Sequence, residues 1–121
     1  MFSNLRWVFL SSMVLCVAAQ AETYLDRKTR AAGDLMEKNG CFNCHEVSYK
    51  IIGPAYKQVA ARYKDDKGAE AKLINKIRMG GAGTWGQVSM PPHPKLSDSE
   101  LKMIVAWILS LNIEQQRFPY P

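Results

Sequence analysis

The residues whose types and spacing most directly imply chemistry are Cys41-Phe42-Asn43-Cys44-His45. Two thiols at this spacing can each add across a vinyl group of haem to form a thioether. The adjacent imidazole can then ligate the iron from the same side. C-x-x-C-H is the attachment pattern of a c-type haem. Two other uses of the pentapeptide stand beside it. A redox dithiol calls for a strand-to-helix junction in a βαβ setting. A zinc site needs four ligands, and elsewhere in the chain beyond residue 21 only His93 and carboxylates could complete one.

A haem held by His45 alone has an open sixth position, and what fills it separates a carrier from a catalyst. The candidate donors are Met36, Met79, Met90, Met103 and His93. Met36 lies too close to Cys41 in the chain. Met103 falls within a helical pattern, where packing is the default role, and Met79 ends one, where it could also simply pack. Met90 sits in Val88-Ser89-Met90-Pro91-Pro92, where paired prolines restrict the backbone and make a stiff wall. The surrounding loop, Gly80 to Leu96, is long for a small domain, and such loops usually serve a function. Met90 is therefore the expected sixth ligand. His93 is the alternative, or a hydrogen-bonding neighbour of the Met90 sulfur. His/Met ligation raises the haem potential and suits electron transfer more than oxygen or peroxide binding.

The elements that must position these groups read as helices. Strand signals are absent from the pattern. The first helix is expected from near Asp26 to Asn39, with Ala32, Leu35 and Met36 on one face and Gly40 as a stop. Pro54 suits the first turn of the second helix, where Tyr56, Val59, Ala60 and Tyr63 follow the i, i+3, i+4, i+7 rule. The third spans Ala69 to Met79, with Leu73, Ile74 and Ile77 as its apolar stripe. The fourth opens on Ser97 and Glu100, a capping box, and buries Leu101, Ile104, Val105, Ile108 and Leu111. From Asn112 onward the chain is expected to be extended.

The 121 residues are enough for one domain. Residues 1–21 carry the marks of a cleavable secretory signal: basic Arg6, an apolar run from Trp7 to Ala19, and Ala19-Gln20-Ala21 as the cleavage site. The apolar run is too short to span a membrane comfortably. Cleavage would leave residues 22–121 as a single exported domain with a core at about 34–111. It would also remove Cys16, so that both remaining cysteines belong to the motif. The formal net charge of +5 is spread along the chain without a block of like charge. That gives little support to nucleic-acid binding and leaves room for steering toward an acidic partner.

Taken together, Cys41-Phe42-Asn43-Cys44-His45, Gly53-Pro54-Ala55-Tyr56, Trp85-Gly86, Met90-Pro91-Pro92 and Ala106-Trp107 resemble class I cytochromes c of the small bacterial monohaem type. The resemblance covers about residues 34–111. It implies an all-α fold of about four helices wrapped around one haem c, bound covalently through Cys41 and Cys44. It also implies His45 and Met90 as iron ligands, and a Pro54 carbonyl that accepts a hydrogen bond from His45. Trp85 would direct its indole N–H toward a haem propionate, with Lys76 as a candidate ion-pair partner there. Trp107 would pack the last helix against the first near Gly40. The chain departs from many relatives at His93, where an asparagine is common. The function implied is that of a soluble, monomeric periplasmic electron carrier rather than an enzyme. It would dock transiently on an acidic-faced reductase, oxidase or dehydrogenase. The alternative is a haem subunit held permanently on a periplasmic dehydrogenase.

Overall fold

The structure is a computed structural model that describes residue 24 and residues 26–117, with side chains placed as far as Leu111. The expected signal segment 1–21 and the residues Phe118 to Pro121 lie outside the described residues. Contacts divide the chain into two compact units, Met1–Ala31 and Ala32–Pro121. In the first, residues 26–31 are helical, Arg30 pairs with Asp26 at 3.0 Å, and the Lys28 ammonium sits 4.7 Å from the centre of the Tyr24 ring.

The second unit holds the elements that build the site. Residues 32–38 are helical (α1) and lead through Gly40 into a single 3-10 turn, Cys41–Asn43. Then come helix α2 (Tyr56–Tyr63) and helix α3 (Ala69–Met79). Strands β1 (Gly81–Gly83) and β2 (Gly86–Met90) pair as an antiparallel hairpin. Helix α4 (Asp98–Arg117) closes the fold. Helices supply the architecture, as expected for an all-α cytochrome c fold.

The apolar periodicity that marks each helix is also what joins them. Helix α4 packs on both α2 and α3. Its Leu101, Ile104, Val105, Ile108 and Leu111 are buried together with Val59 and Ala60 of α2, Leu73 and Ile77 of α3, and Met36 of α1. Burial of each large side chain in this cluster contributes roughly 1.5–3 kcal/mol. Among the described residues, no helix is long and apolar enough to cross a membrane.

Four local expectations are corrected. Pro54 lies outside α2, ahead of the N-cap Ala55, whose N–H donates to Gln58 Oε1 at 3.0 Å. A hairpin occupies part of the expected loop; its Gly81, Gly83 and Gly86, with positive φ, lend the segment no strand-like side-chain pattern. Helix α4 continues past Leu111 to Arg117. Met103, expected to pack, is 37% exposed, and Met79 is 66% exposed.

The start of α4 is a reciprocal capping box. The Ser97 N–H donates to Glu100 Oε2 at 2.8 Å, and the Glu100 N–H donates to Ser97 Oγ at 3.3 Å. The bond from the Ser97 backbone, and then that from its hydroxyl, hold the Glu100 carboxyl below its ordinary range. A carboxylate whose folded pKa is depressed stabilises the fold fully above its unfolded value, and the contribution is lost as pH falls through the folded value. Glu100→Gln is therefore expected to lower the thermal midpoint at neutral pH and to flatten its decline below about pH 4.5. Melting curves across that pH range check this; parallel declines for the two proteins would contradict it.

Candidate functional site

The site begins where α1 ends. Gly40 takes φ +71°, which turns the chain sharply, and its N–H closes on the Glu37 carbonyl at 2.9 Å. The turn that follows is stitched by the N–H groups of Cys44 and His45, both of which donate to the Cys41 carbonyl. Cys41, Cys44 and His45 are thereby presented together on one short piece of backbone. The returning loop is pinned to it: the N–H groups of Ile52 and Gly53 donate to the Cys44 carbonyl at 3.2 and 2.8 Å. The N–H groups of Tyr56 and Lys57 then donate to the carbonyls of Glu46 and Val47. These two bonds satisfy donors in the first turn of α2 that have no partner inside the helix.

His45 is held by its neighbours. Its Nδ1 lies 2.7 Å from the Pro54 carbonyl oxygen. A carbonyl only accepts, so Nδ1 carries the proton and Nε2 keeps its lone pair for a metal. The ring stacks on Tyr56 with centroids 5.2 Å apart and planes inclined by 23°. Tyr56 in turn meets Trp107 edge-on at 5.5 Å and Phe42 edge-on at 6.0 Å. Such ring pairs are worth about 0.5–1.5 kcal/mol each beyond their burial. Burial, with smaller contributions from Cys41, Cys44 and Glu46, pushes the Tyr56 hydroxyl well above its ordinary value. The Cys41 thiol is also raised, chiefly by burial.

Met90 reaches the same place by a different route. It is the last residue of β2 and pairs with Gly81 across the hairpin. The chain beyond it is anchored to α3 by the His93 N–H, which donates to the Ile77 carbonyl at 3.0 Å. At the end of α3, Gly80 has φ +67°, and a Cβ there would lie 2.9 Å from both the Pro91 carbonyl carbon and the Pro92 nitrogen. The loop carrying Met90 therefore rests directly on the backbone of Gly80.

Cys41, Cys44, His45, Pro54, Trp85, Met90 and His93 all line one mainly apolar cavity of about 370 Å³. Buried core residues, Leu73 and Ile77 of α3 and Ile104 and Ile108 of α4, form part of its wall. Lys76 lines it too, with Nζ 3.4 Å from the Gly80 carbonyl. Sequence reasoning missed Arg62, whose guanidinium sits 5.1 Å from the centre of the Trp85 ring. It also missed the stack of Tyr56 on His45. Neither contact follows a helical period, so the pattern offered no signal for them.

The geometry separates the readings of the pentapeptide. The paired strands form an antiparallel hairpin and the cysteines follow a helix, so the βαβ setting of a redox dithiol is not found among the described residues. No group of three or more His, Cys, Asp or Glu among them is placed to hold a metal ion by itself. Two thiols, an imidazole with a free Nε2 and a thioether around one apolar cavity fit a covalently attached haem.

Residues 31–112 match the family model described as Cytochrome c. The chain belongs to the cytochrome c family. It is 48% identical over 77 residues to cytochrome c-551 of Allochromatium vinosum, which is 64% of this chain and 82% of that protein. It is 45% identical over 82 residues to cytochrome c-552 of Nitrosomonas europaea, covering 68% and 80%. The crystal structure of wild type Nitrosomonas europaea cytochrome c552 matches with a TM-score of 0.63, covering 66% of this chain and 99% of that one. The class 1 cytochrome MtoD from Sideroxydans lithotrophicus ES-1 matches with a TM-score of 0.61 at 38% identity, covering 68% and 94%. The cofactor of a cytochrome c is a covalently bound c-type haem with iron, and Cys41 and Cys44 fit its attachment motif. These relatives support a monohaem electron carrier.

The contact at Gly80 yields a prediction. Gly80→Ala is expected to destabilise the haem-loaded cytochrome by about 1–3 kcal/mol or more, since it combines an unfavourable φ with a backbone collision. Gly83→Ala, with φ +110° but nothing within 4 Å of the added carbon, should cost less. Denaturant unfolding of both variants measures the difference, and equal costs would show that the Met90 loop does not rest on Gly80.

Proposed function

We propose that this cytochrome c is a soluble periplasmic electron carrier whose single haem has His45 and Met90 as axial ligands. The observation that carries the reading is the cavity shared by Cys41, Cys44, His45 and Met90. When bound, the haem supplies a one-electron couple at its iron. The chain does the rest. Cys41 and Cys44 hold the group by thioether bonds. His45 offers Nε2, and the Pro54 carbonyl fixes its tautomer and raises its basicity through Nδ1–H. Met90 offers its sulfur from a backbone stiffened by Pro91 and Pro92. Trp85 and Lys76, which line the cavity, would hold the propionates through an indole N–H and an ammonium, while Arg62 lies over the Trp85 ring.

With His45 and Met90 both holding the iron, the site would favour electron transfer over substrate chemistry. Residues 1–21 act as the export signal, and residues 22–121 form one domain with its core at about 34–111. The protein works as a monomer that docks briefly on an acidic-faced reductase, oxidase or dehydrogenase through a small interface.

Two experiments test this reading. In the ferric protein, Met90→Ala is expected to abolish the methionine–iron charge-transfer band, while His93→Ala leaves it in place. A band that survives Met90→Ala would sink the ligand assignment. Transfer to an acidic-faced redox protein is expected to slow about tenfold or more as salt rises from about 10 mM to about 0.5 M. Stopped-flow rates across that range decide it, and a flat profile would remove the steering role of the basic side chains.

A further inference from the structure

We infer that Tyr56, braced by Phe42 and Trp107 and assisted by Gly53, clamps the plane of the His45 imidazole, which makes Tyr56 a positioning residue for the axial ligand. The inference rests on the assignment of His45 as an iron ligand. The hydrogen bond from Nδ1–H to the Pro54 carbonyl fixes one point of the ring. That bond tolerates a range of angles, so the imidazole can still rock about its Cβ–Cγ bond. A second constraint is needed, and the structure supplies two.

The first is the ring of Tyr56. It lies nearly parallel to the imidazole, at 5.2 Å and 23°. Tyr56 has little freedom of its own. It is 5% exposed, its N–H is tied to the Glu46 carbonyl, and Trp107 and Phe42 meet it edge-on. Its face is thus held by α4 through Trp107 and by the cysteine turn through Phe42.

The second constraint is Gly53. A Cβ built there would lie 2.7 Å from Nδ1 and 2.8 Å from Nε2 of His45, with Cε1 nearest of all. Nearly equal short distances to both nitrogens fit an approach over the ring face rather than along its edge. Backbone therefore lies against the imidazole where any side chain would push it aside. The Tyr56 ring and the Gly53 backbone each bear on the His45 imidazole and restrict its orientation.

The plane of an axial imidazole decides which iron d orbital its π system mixes with. That mixing sets the anisotropy of the low-spin ferric signal and contributes to the reduction potential. Both are readouts that a merely structural Tyr56 would leave alone.

The test uses the haem-loaded protein, with circular dichroism to verify folding of each variant. Tyr56→Phe keeps the flat ring and should retain the wild-type ferric EPR g-values and potential. Tyr56→Leu removes the ring and should shift and broaden the g-values and move the potential. Trp107→Leu should produce a smaller change of the same kind. Gly53→Ala acts from the loop and provides a second arm if Tyr56→Leu does not fold. A folded Tyr56→Leu or Gly53→Ala protein with wild-type g-values and potential would overturn the clamp. So would a Tyr56→Phe shift as large as that of Tyr56→Leu, since it would assign the effect to the hydroxyl. A wild-type protein without the low-spin His/Met signature would instead overturn the ligand assignment, and the clamp with it.

Discussion

The hydrogen bond from His45 to the Pro54 carbonyl is the interaction on which the site depends. It selects the tautomer that leaves Nε2 available. It also joins the two ends of a nine-residue excursion, so that the cysteine turn and the entry to α2 behave as one piece. The backbone bonds from Ile52, Gly53, Tyr56 and Lys57 back to residues 44–47 reinforce the same closure. Because Pro54 has no N–H, its carbonyl is the backbone group it can contribute. Its fixed φ removes one of the two backbone rotations that could displace that carbonyl.

The two halves of the site are held by unlike means. The cysteine and histidine side is built from short-range backbone bonds within a few residues of one another. The Met90 side depends on long-range placement: a hairpin, a close approach at Gly80, and one bond from His93 to the last turn of α3. Helix α3 thus serves the methionine side, while α2 serves the histidine side, and α4 packs on both.

Much of this was legible in the residues. The pentapeptide announces its chemistry because five consecutive side chains carry it. The helices are readable because their apolar stripes are also their contacts, as Leu101 to Leu111 show. Reading stopped where that logic stops. The hairpin has an exposed strand pattern and three glycines with positive φ, so neither alternation nor β-propensity marks it. Helix α4 outlasts its buried stripe, so periodicity ended the expectation at Leu111 although Asn112 to Arg117 continue the helix. The packing of Arg62 on Trp85 and of Tyr56 on His45 depends on how separate elements meet in space.

Ile104 and Ile108 belong to two surfaces at once, the buried core and the cavity wall. This double membership limits how the protein can diverge. A change at either position alters the cofactor's surroundings and the cohesion of the fold together, so neither property is free to drift alone there. The hairpin wall, Gly81 to Gly86 with Val88, lines the cavity without belonging to the buried core. A change along that wall alters the cofactor's surroundings while leaving the packing of α4 on α2 and α3 in place.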